Sequence, residues 1–220
     1  MPAVIFDMDG VLVASGSAHD ASWRAVARRH GIQISAADFK AAFGRTSRDI
    51  VRLWWGEGLS DEQVRAIDDE KELIYRELIT GMVPLTIGLR ETLARLGEAG
   101  IPLAVATSGP RENAELVLRE SRLASAFRVV VTGADVSRGK PAPDCFLLAA
   151  ERLRAAPADC VVVEDAPVGI EAALAAGMRV IGFTGTHETE RLTACGAHAI
   201  AERMSDISAN LVQRLVAASS

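Results

Sequence analysis

Cysteine, aromatic residues and long apolar runs are all scarce in this chain. Only three cysteines (Cys145, Cys160, Cys195) occur in 220 residues. They lie far apart, with no C-x-x-C spacing and no His-x-x-x-His partner, which excludes a disulfide framework and a zinc site and favours a reducing compartment, the cytoplasm. No segment approaches the ~18 consecutive apolar residues of a membrane-spanning helix. The opening MPAVIFDMDG lacks a basic leader and has an acid at position 7, so it does not read as a signal peptide. Basic residues are also short, 24 against 29 acidic, for a net charge of -5. Such a chain repels nucleic acid and anionic membranes, and an anionic substrate would need a metal or a local basic pocket. What is abundant is apolar mass, 49% of residues against 24% charged, which sets fibrous and disordered chains aside.

Short apolar runs alternate with helical patterns over most of the chain, the signature of a parallel α/β sheet. The runs are Ala3 to Phe6, Pro102 to Ala106, Val129 to Val131, Cys160 to Val163 and Arg179 to Phe183. None alternates cleanly with polar residues, as expected of strands covered on both faces. Helices are predicted over Leu89 to Ala99, Asp144 to Leu153 and Val168 to Ala176, and from near Ser205 with Ile207, Leu211 and Leu215 at i, i+4, i+8. From Ser17 to about Met82 no strand is legible. Ser17 and Ser35 are N-cap candidates, and Ser60 with Gln63 makes a capping box. The expected fold is a Rossmann-like parallel α/β core, residues 1–15 and 83–220, interrupted by a four-helix cap at 16–82.

The strands end in chemistry. Asp7-Met8-Asp9-Gly10 follows the first, a pattern that is also a common turn. Thr107-Ser108-Gly109 follows the second, either an anion site or an ordinary helix N-cap. Gly139-Lys140-Pro141 stiffens a lysine after the third, and Glu164-Asp165 closes the fourth, where adjacent acids are hard to explain as packing. The C-terminal edge of such a sheet is where ligands bind. Asp7, Asp9, Glu164 and Asp165 are hard oxygen donors suited to Mg²⁺, and Thr107 and Lys140 suit phosphate oxygens. A carboxylate nucleophile can split phosphate-ester cleavage into two steps through an aspartyl-phosphate.

FDMDGVLV, VATSG, GKPAPD and VVVEDAPVGIEAALAAGM, in that order, closely resemble the four signature motifs of the haloacid dehalogenase superfamily. The branch resembled carries a helical cap after the first motif and includes sugar-phosphate phosphatases and β-phosphoglucomutases. By that resemblance Asp7 is the nucleophile and Asp9 the acid/base. The metal is held by Asp7, the Asp9 main-chain carbonyl and Asp165, with Glu164 as ligand or close support. Thr107 and Lys140 match the phosphate-binding positions. True dehalogenases lack the second aspartate, so Asp9 implies phosphoryl transfer. Ala14-Ser15 and Thr86-Ile87 depart from the usual residues at the cap's entry and exit.

His19 and Trp23 share one stripe of the first cap helix, and periodicity alone makes them core residues. The resemblance instead turns His19 toward the active site, brings Lys71 near the acid/base, and sets Arg45 and Arg48 at the distal end of the substrate. Without it, these last three are solvated charges. Trp54-Trp55 reads as cap packing. The expected protein is a cytoplasmic monomer or weak dimer. It is expected to be a Mg²⁺-dependent phosphatase of a small phosphorylated metabolite, a sugar phosphate, with a β-phosphoglucomutase-like mutase as the alternative.

Overall fold

The computed structural model describes residues 2–218. Six strands, β1 (Ala3–Phe6), β2 (Leu103–Ala106), β3 (Val129–Val131), β4 (Cys160–Glu164), β5 (Arg179–Phe183) and β6 (Ala199–Ala201), form one parallel sheet in the order β3-β2-β1-β4-β5-β6. Alternate residues of β1 feed opposite faces: Val4 and Phe6 enter one apolar cluster, Ala3 and Ile5 another. Both faces are covered, which is why no polar alternation marks these strands. β1 lies between β2 and β4, so its end opens the crevice typical of a topological switch point.

Four helices, α1 (Gly16–Arg29), α2 (Ala36–Ala42), α3 (Ser47–Trp55) and α4 (Asp61–Ile79), intervene between β1 and β2. They bury an apolar cluster of their own around Trp23, Val26, Val51 and Ile67. Trp54 packs edge-on against Trp23 at 5.2 Å, so the tryptophan pair does fill this bundle. Ser35 and Ser60 head capping boxes as expected. Ser17 does not cap α1. The helix begins one residue earlier, behind Ser15, whose hydroxyl is turned away from the helix end to another partner. Val13 and Leu85 bridge in antiparallel fashion, with Ala14 N–H donating to Pro84 O (2.8 Å) and Thr86 N–H to Leu12 O (3.0 Å). The two connections to the bundle are therefore zipped into a single strap.

The remaining helices are α5 (Leu89–Glu98), α6 (Arg111–Glu120), α7 (Asp144–Leu153), α8 (Pro167–Ala175), α9 (Thr189–Ala194) and α10 (Ala209–Ala217). α10 starts four residues after the expected Ser205, because Ser208 caps it by accepting from Leu211 N–H. Met204 and Ile207 are fully buried in the short turn before it, so the apolar spacing there comes from two elements rather than one helix. β6 and α9 go beyond the sequence expectation. No helix among the described residues is long and apolar enough to cross a membrane. Phe146 of α7 is wholly buried beneath the sheet. Phe146→Ala should cost about 3–5 kcal/mol of stability, read as a lower midpoint in chemical denaturation; a loss under ~1 kcal/mol would contradict this packing.

Candidate active site

Asp7 N–H donates to Val163 O at 3.0 Å, so the β1 ladder runs one residue past the strand and fixes Asp7 at the sheet edge. The chain then turns at Gly10, whose φ is +84°. A Cβ there would lie 1.9 Å from Asp165 Oδ2, so the turn tolerates only glycine. The Asp-Gly pair is thus both a turn and the means of bringing two loops together.

Asp7, Glu164 and Asp165 each place an oxygen within 4.8 Å of the others, and all three are buried. Lys140 Nζ sits among them, donating to Asp7 Oδ1 (2.5 Å) and Glu164 Oε1 (2.7 Å), with 2% of the residue exposed. Glu164 also accepts Ala166 N–H at 2.8 Å, and a Cβ on Gly169 of α8 would collide with its carboxylate. Burial lifts the pKa of Asp7 to about 7, with Lys140 opposing and Glu164 and Asp9 reinforcing. Burial, then Glu164 and Asp7, push Asp165 well above the carboxylate range. Burial alone would discharge Lys140, but Asp7 and Glu164 hold its pKa above the usual lysine value.

Among the described residues neither oxygen of Asp165 has a hydrogen-bond partner; the Thr186 hydroxyl is near enough to favour the charged form but outside bonding geometry. With all three carboxylates ionised, one ammonium would leave two negative charges uncompensated, which is why burial favours the protonated forms of Asp7 and Asp165. Such an orphaned, all-oxygen donor set fits a hard divalent cation.

Asp9 forms a second centre. Its Oδ1 accepts from Ser15 Oγ (2.6 Å), His19 Nε2 (2.9 Å) and Tyr75 OH (3.1 Å). Lys71 Nζ lies 2.8 Å from His19 Nδ1. An ammonium only donates, so Nδ1 accepts and the ring proton resides on Nε2, facing Asp9. Burial would raise the Asp9 pKa, but His19, then Ser15 and Lys71, outweigh it and hold Asp9 below the usual range. Asp9 Oδ2 has no protein donor among the described residues and points toward Gly109, where a Cβ would stand 3.8 Å away. His19 stacks on Tyr75 at 4.0 Å and is 8% exposed, so it is packed and chemically engaged at once.

The hydroxyls after β2 are not N-caps. α6 has no side-chain cap; Thr107 Oγ1 accepts Gly109 N–H at 3.0 Å, and Ser108 Oγ donates to Gly44 O in the helical bundle at 3.0 Å.

Asp7, Asp9, His19, Trp23, Arg45, Lys71, Thr107, Ser108 and Gly109 line one cavity of about 50 Å³ between the bundle and the strand ends. Lys140, Glu164 and Asp165 are not among its lining residues, and Lys140 is set against the acids instead. Arg48 is elsewhere, in a neighbouring cleft and paired with Asp68 at 3.3 Å. Sequence reasoning missed Ser15, Ser47, Glu72, Tyr75, Asn113 and His187. His187 Nδ1–H donates to Asp165 O at 3.0 Å. Glu72 accepts from Lys71 Nζ (2.8 Å), Ser47 Oγ (2.5 Å) and Asn113 Nδ2 (2.6 Å). A signal for Glu72 and Tyr75 did exist, since Lys71, Glu72 and Tyr75 share one side of α4 with buried Ile67 and Ile79.

The sequence model of the haloacid dehalogenase-like hydrolases matches residues 1–177. Hexitol phosphatase A of Escherichia coli (strain K12) is 39% identical over 189 residues, covering 86% of this chain and 85% of that protein. The β-phosphoglucomutase of Bacillus subtilis (strain 168) is 31% identical over 189 residues, 83% of each chain. A solved HAD hydrolase, family IA, variant 3, from Entamoeba histolytica HM-1:IMSS superposes with a TM-score of 0.89 at 28% identity, covering 99% of this chain and 100% of that one. With its acids, lysine and hydroxyls gathered at the ends of a parallel sheet, this chain belongs to the haloacid dehalogenase-like hydrolase family.

Proposed function

We propose that the protein is a Mg²⁺-dependent phosphatase that releases phosphate from a small phosphorylated sugar or polyol through an aspartyl-phosphate on Asp7. The observation that carries this reading is the buried set of Asp7, Lys140, Glu164 and Asp165 directly beside the Asp9 centre. The hexitol phosphatase relative supports the substrate class. Residues 1–15 and 83–220 act as the catalytic core and 16–82 as its cap. Three cysteines without disulfides suit the cytoplasm.

Asp7, Asp165 and Glu164, with the Asp9 main-chain carbonyl, would hold Mg²⁺. When bound it supplies positive charge to the phosphoryl oxygens and to the acids around it. In the first step an Asp7 oxygen bonds to phosphorus and the ester P–O bond breaks, while Asp9, ionised in the free protein and taking up a proton only once the negative phosphate lies beside it, gives that proton to the leaving oxygen. In the second, Asp9 takes a proton from water, the water oxygen bonds to phosphorus, and the Asp7–phosphorus bond breaks. Lys140 orients the Asp7 carboxylate throughout, and Thr107 and Ser108 offer hydroxyls to the phosphoryl group. A cavity of about 50 Å³ holds a few waters and no sugar phosphate. Substrate entry therefore needs the bundle to swing about the Val13–Leu85 strap.

With Mg²⁺, a panel of sugar and polyol phosphates should give multiple-turnover phosphate release, and EDTA should abolish it reversibly. Full activity in EDTA would sink the metal assignment, and no release from any phosphate monoester would sink the phosphatase. The mutase reading draws on the Bacillus relative and the His19–Lys71 pair. Incubation with β-glucose 1-phosphate and a trace of the 1,6-bisphosphate separates the two. We expect phosphate; glucose 6-phosphate in large excess over phosphate would favour the mutase.

A further inference from the structure

Glu72 is a buried carboxylate in the cavity wall, 4% exposed, on the cap side away from the metal-binding acids. Its Oε1 accepts from Lys71 and Ser47, and its Oε2 accepts from Asn113, which sits behind the Thr107–Gly109 loop. A carboxylate offers about four acceptor sites, so one remains for a donor entering from the cavity. The cations nearby are committed. Lys71 Nζ is used by His19 Nδ1 and Glu72, with Trp23 and Tyr75 rings 5.2 and 5.3 Å away. Arg76 donates to Asn113 Oδ1 at 3.0 Å, and Arg48 faces Asp68 in the adjoining cleft. Arg45, which lines the cavity but is exposed at its rim, makes no ion pair among the described residues.

We infer that Glu72 is the specificity-determining residue for the leaving group: it accepts a hydrogen bond from a substrate hydroxyl and repels a second phosphate. The cavity is thereby suited to monophosphates of uncharged polyhydroxylated compounds. Two effects combine here. A site built to receive a hydroxyl rejects an analogue that lacks it, because the buried acceptor is left unpaired. A fixed negative charge facing a second phosphate, with no uncommitted cation in the interior, selects against bisphosphates by like-charge repulsion. This inference rests on the phosphatase reading and sharpens it.

The test compares kcat/KM of the Mg²⁺-loaded full chain on sorbitol 6-phosphate, hexyl phosphate and fructose 1,6-bisphosphate, with p-nitrophenyl phosphate as a reference. The wild type should favour the polyol monophosphate over both others by ~10-fold or more. Glu72→Gln should narrow its preference over the bisphosphate by ~10-fold, whatever happens to absolute rates. Equal losses on all substrates would reduce Glu72 to a structural partner of Lys71 and overturn the inference. The wild-type comparison stands even where the variant fails to fold: turnover of p-nitrophenyl phosphate without discrimination among the other three overturns the role of Glu72 alone. No release from any of the four overturns the phosphatase reading as well.

Discussion

Asp7→Asn should abolish phosphate release, with a loss of ~10⁶-fold, the scale on which removal of a covalent nucleophile is felt. The amide keeps the size of the carboxylate but has no charged oxygen to bond to phosphorus. The same substitution should make the metal-free protein more stable. Burial raises the Asp7 pKa from 3.8 to about 7 despite Lys140, so the folded chain holds this proton more tightly than the unfolded one. As pH climbs through 3.8 the unfolded carboxyl ionises first and stability falls; above about 7 both states are ionised and the cost is fully developed. Asparagine carries no such cost. Denaturation of the two proteins in EDTA should therefore diverge between about pH 4 and pH 7, with the variant the more stable at about pH 8. Residual multiple turnover above ~1% of wild type would remove Asp7 as nucleophile, and a variant less stable at that alkaline pH would contradict the electrostatic account.

The opposed effects explain why this part of the site was legible in sequence. A run such as Ala3–Phe6 ending in two carboxylates, or Cys160–Glu164 ending in another pair, places charge where a sheet edge must bury it. Folding alone gives no reason to do so. Five of the six strands could be read for the same reason, since they are apolar runs; β6 is a three-residue edge strand like β3, but its Ala-Ile-Ala lacks the β-branched signal of Val129-Val130-Val131. The cap side was less legible. Glu72 lies in the run Asp68-Asp69-Glu70-Lys71-Glu72, where solvated and buried acids look alike until the helix is docked. Asn113 is a helix residue 41 positions away, joined to Glu72 only by the tertiary fold. Ser15 is half-visible: it stands at a departure from the family pattern, yet what it does depends on a hydroxyl pointing back to Asp9 rather than along α1.

Asp9→Asn should separate the two chemical steps. The new amide would still offer Ser15, Tyr75 and His19 a carbonyl oxygen in place of the Asp9 Oδ1, so the arrangement of α1 and α4 around it is preserved. What disappears is the oxygen able to take up and release a proton, Oδ2, which faces Gly109. On a sugar phosphate, whose alkoxide leaves poorly, kcat should fall by ~10²- to 10⁴-fold with KM changed only a few-fold. On an aryl phosphate the leaving group needs little help, so transfer to Asp7 should proceed while hydrolysis of the aspartyl-phosphate, which needs a base, stalls. Rapid mixing of the variant with p-nitrophenyl phosphate and Mg²⁺ should then show a burst approaching one equivalent of nitrophenol per active site, followed by a slow steady state, and acid quenching should trap a phosphoenzyme. A variant with near wild-type kcat on both substrates would exclude Asp9 from proton transfer. A large loss on both without a burst would mean that Asp9 serves the first step through geometry, since a missing base alone leaves that step intact.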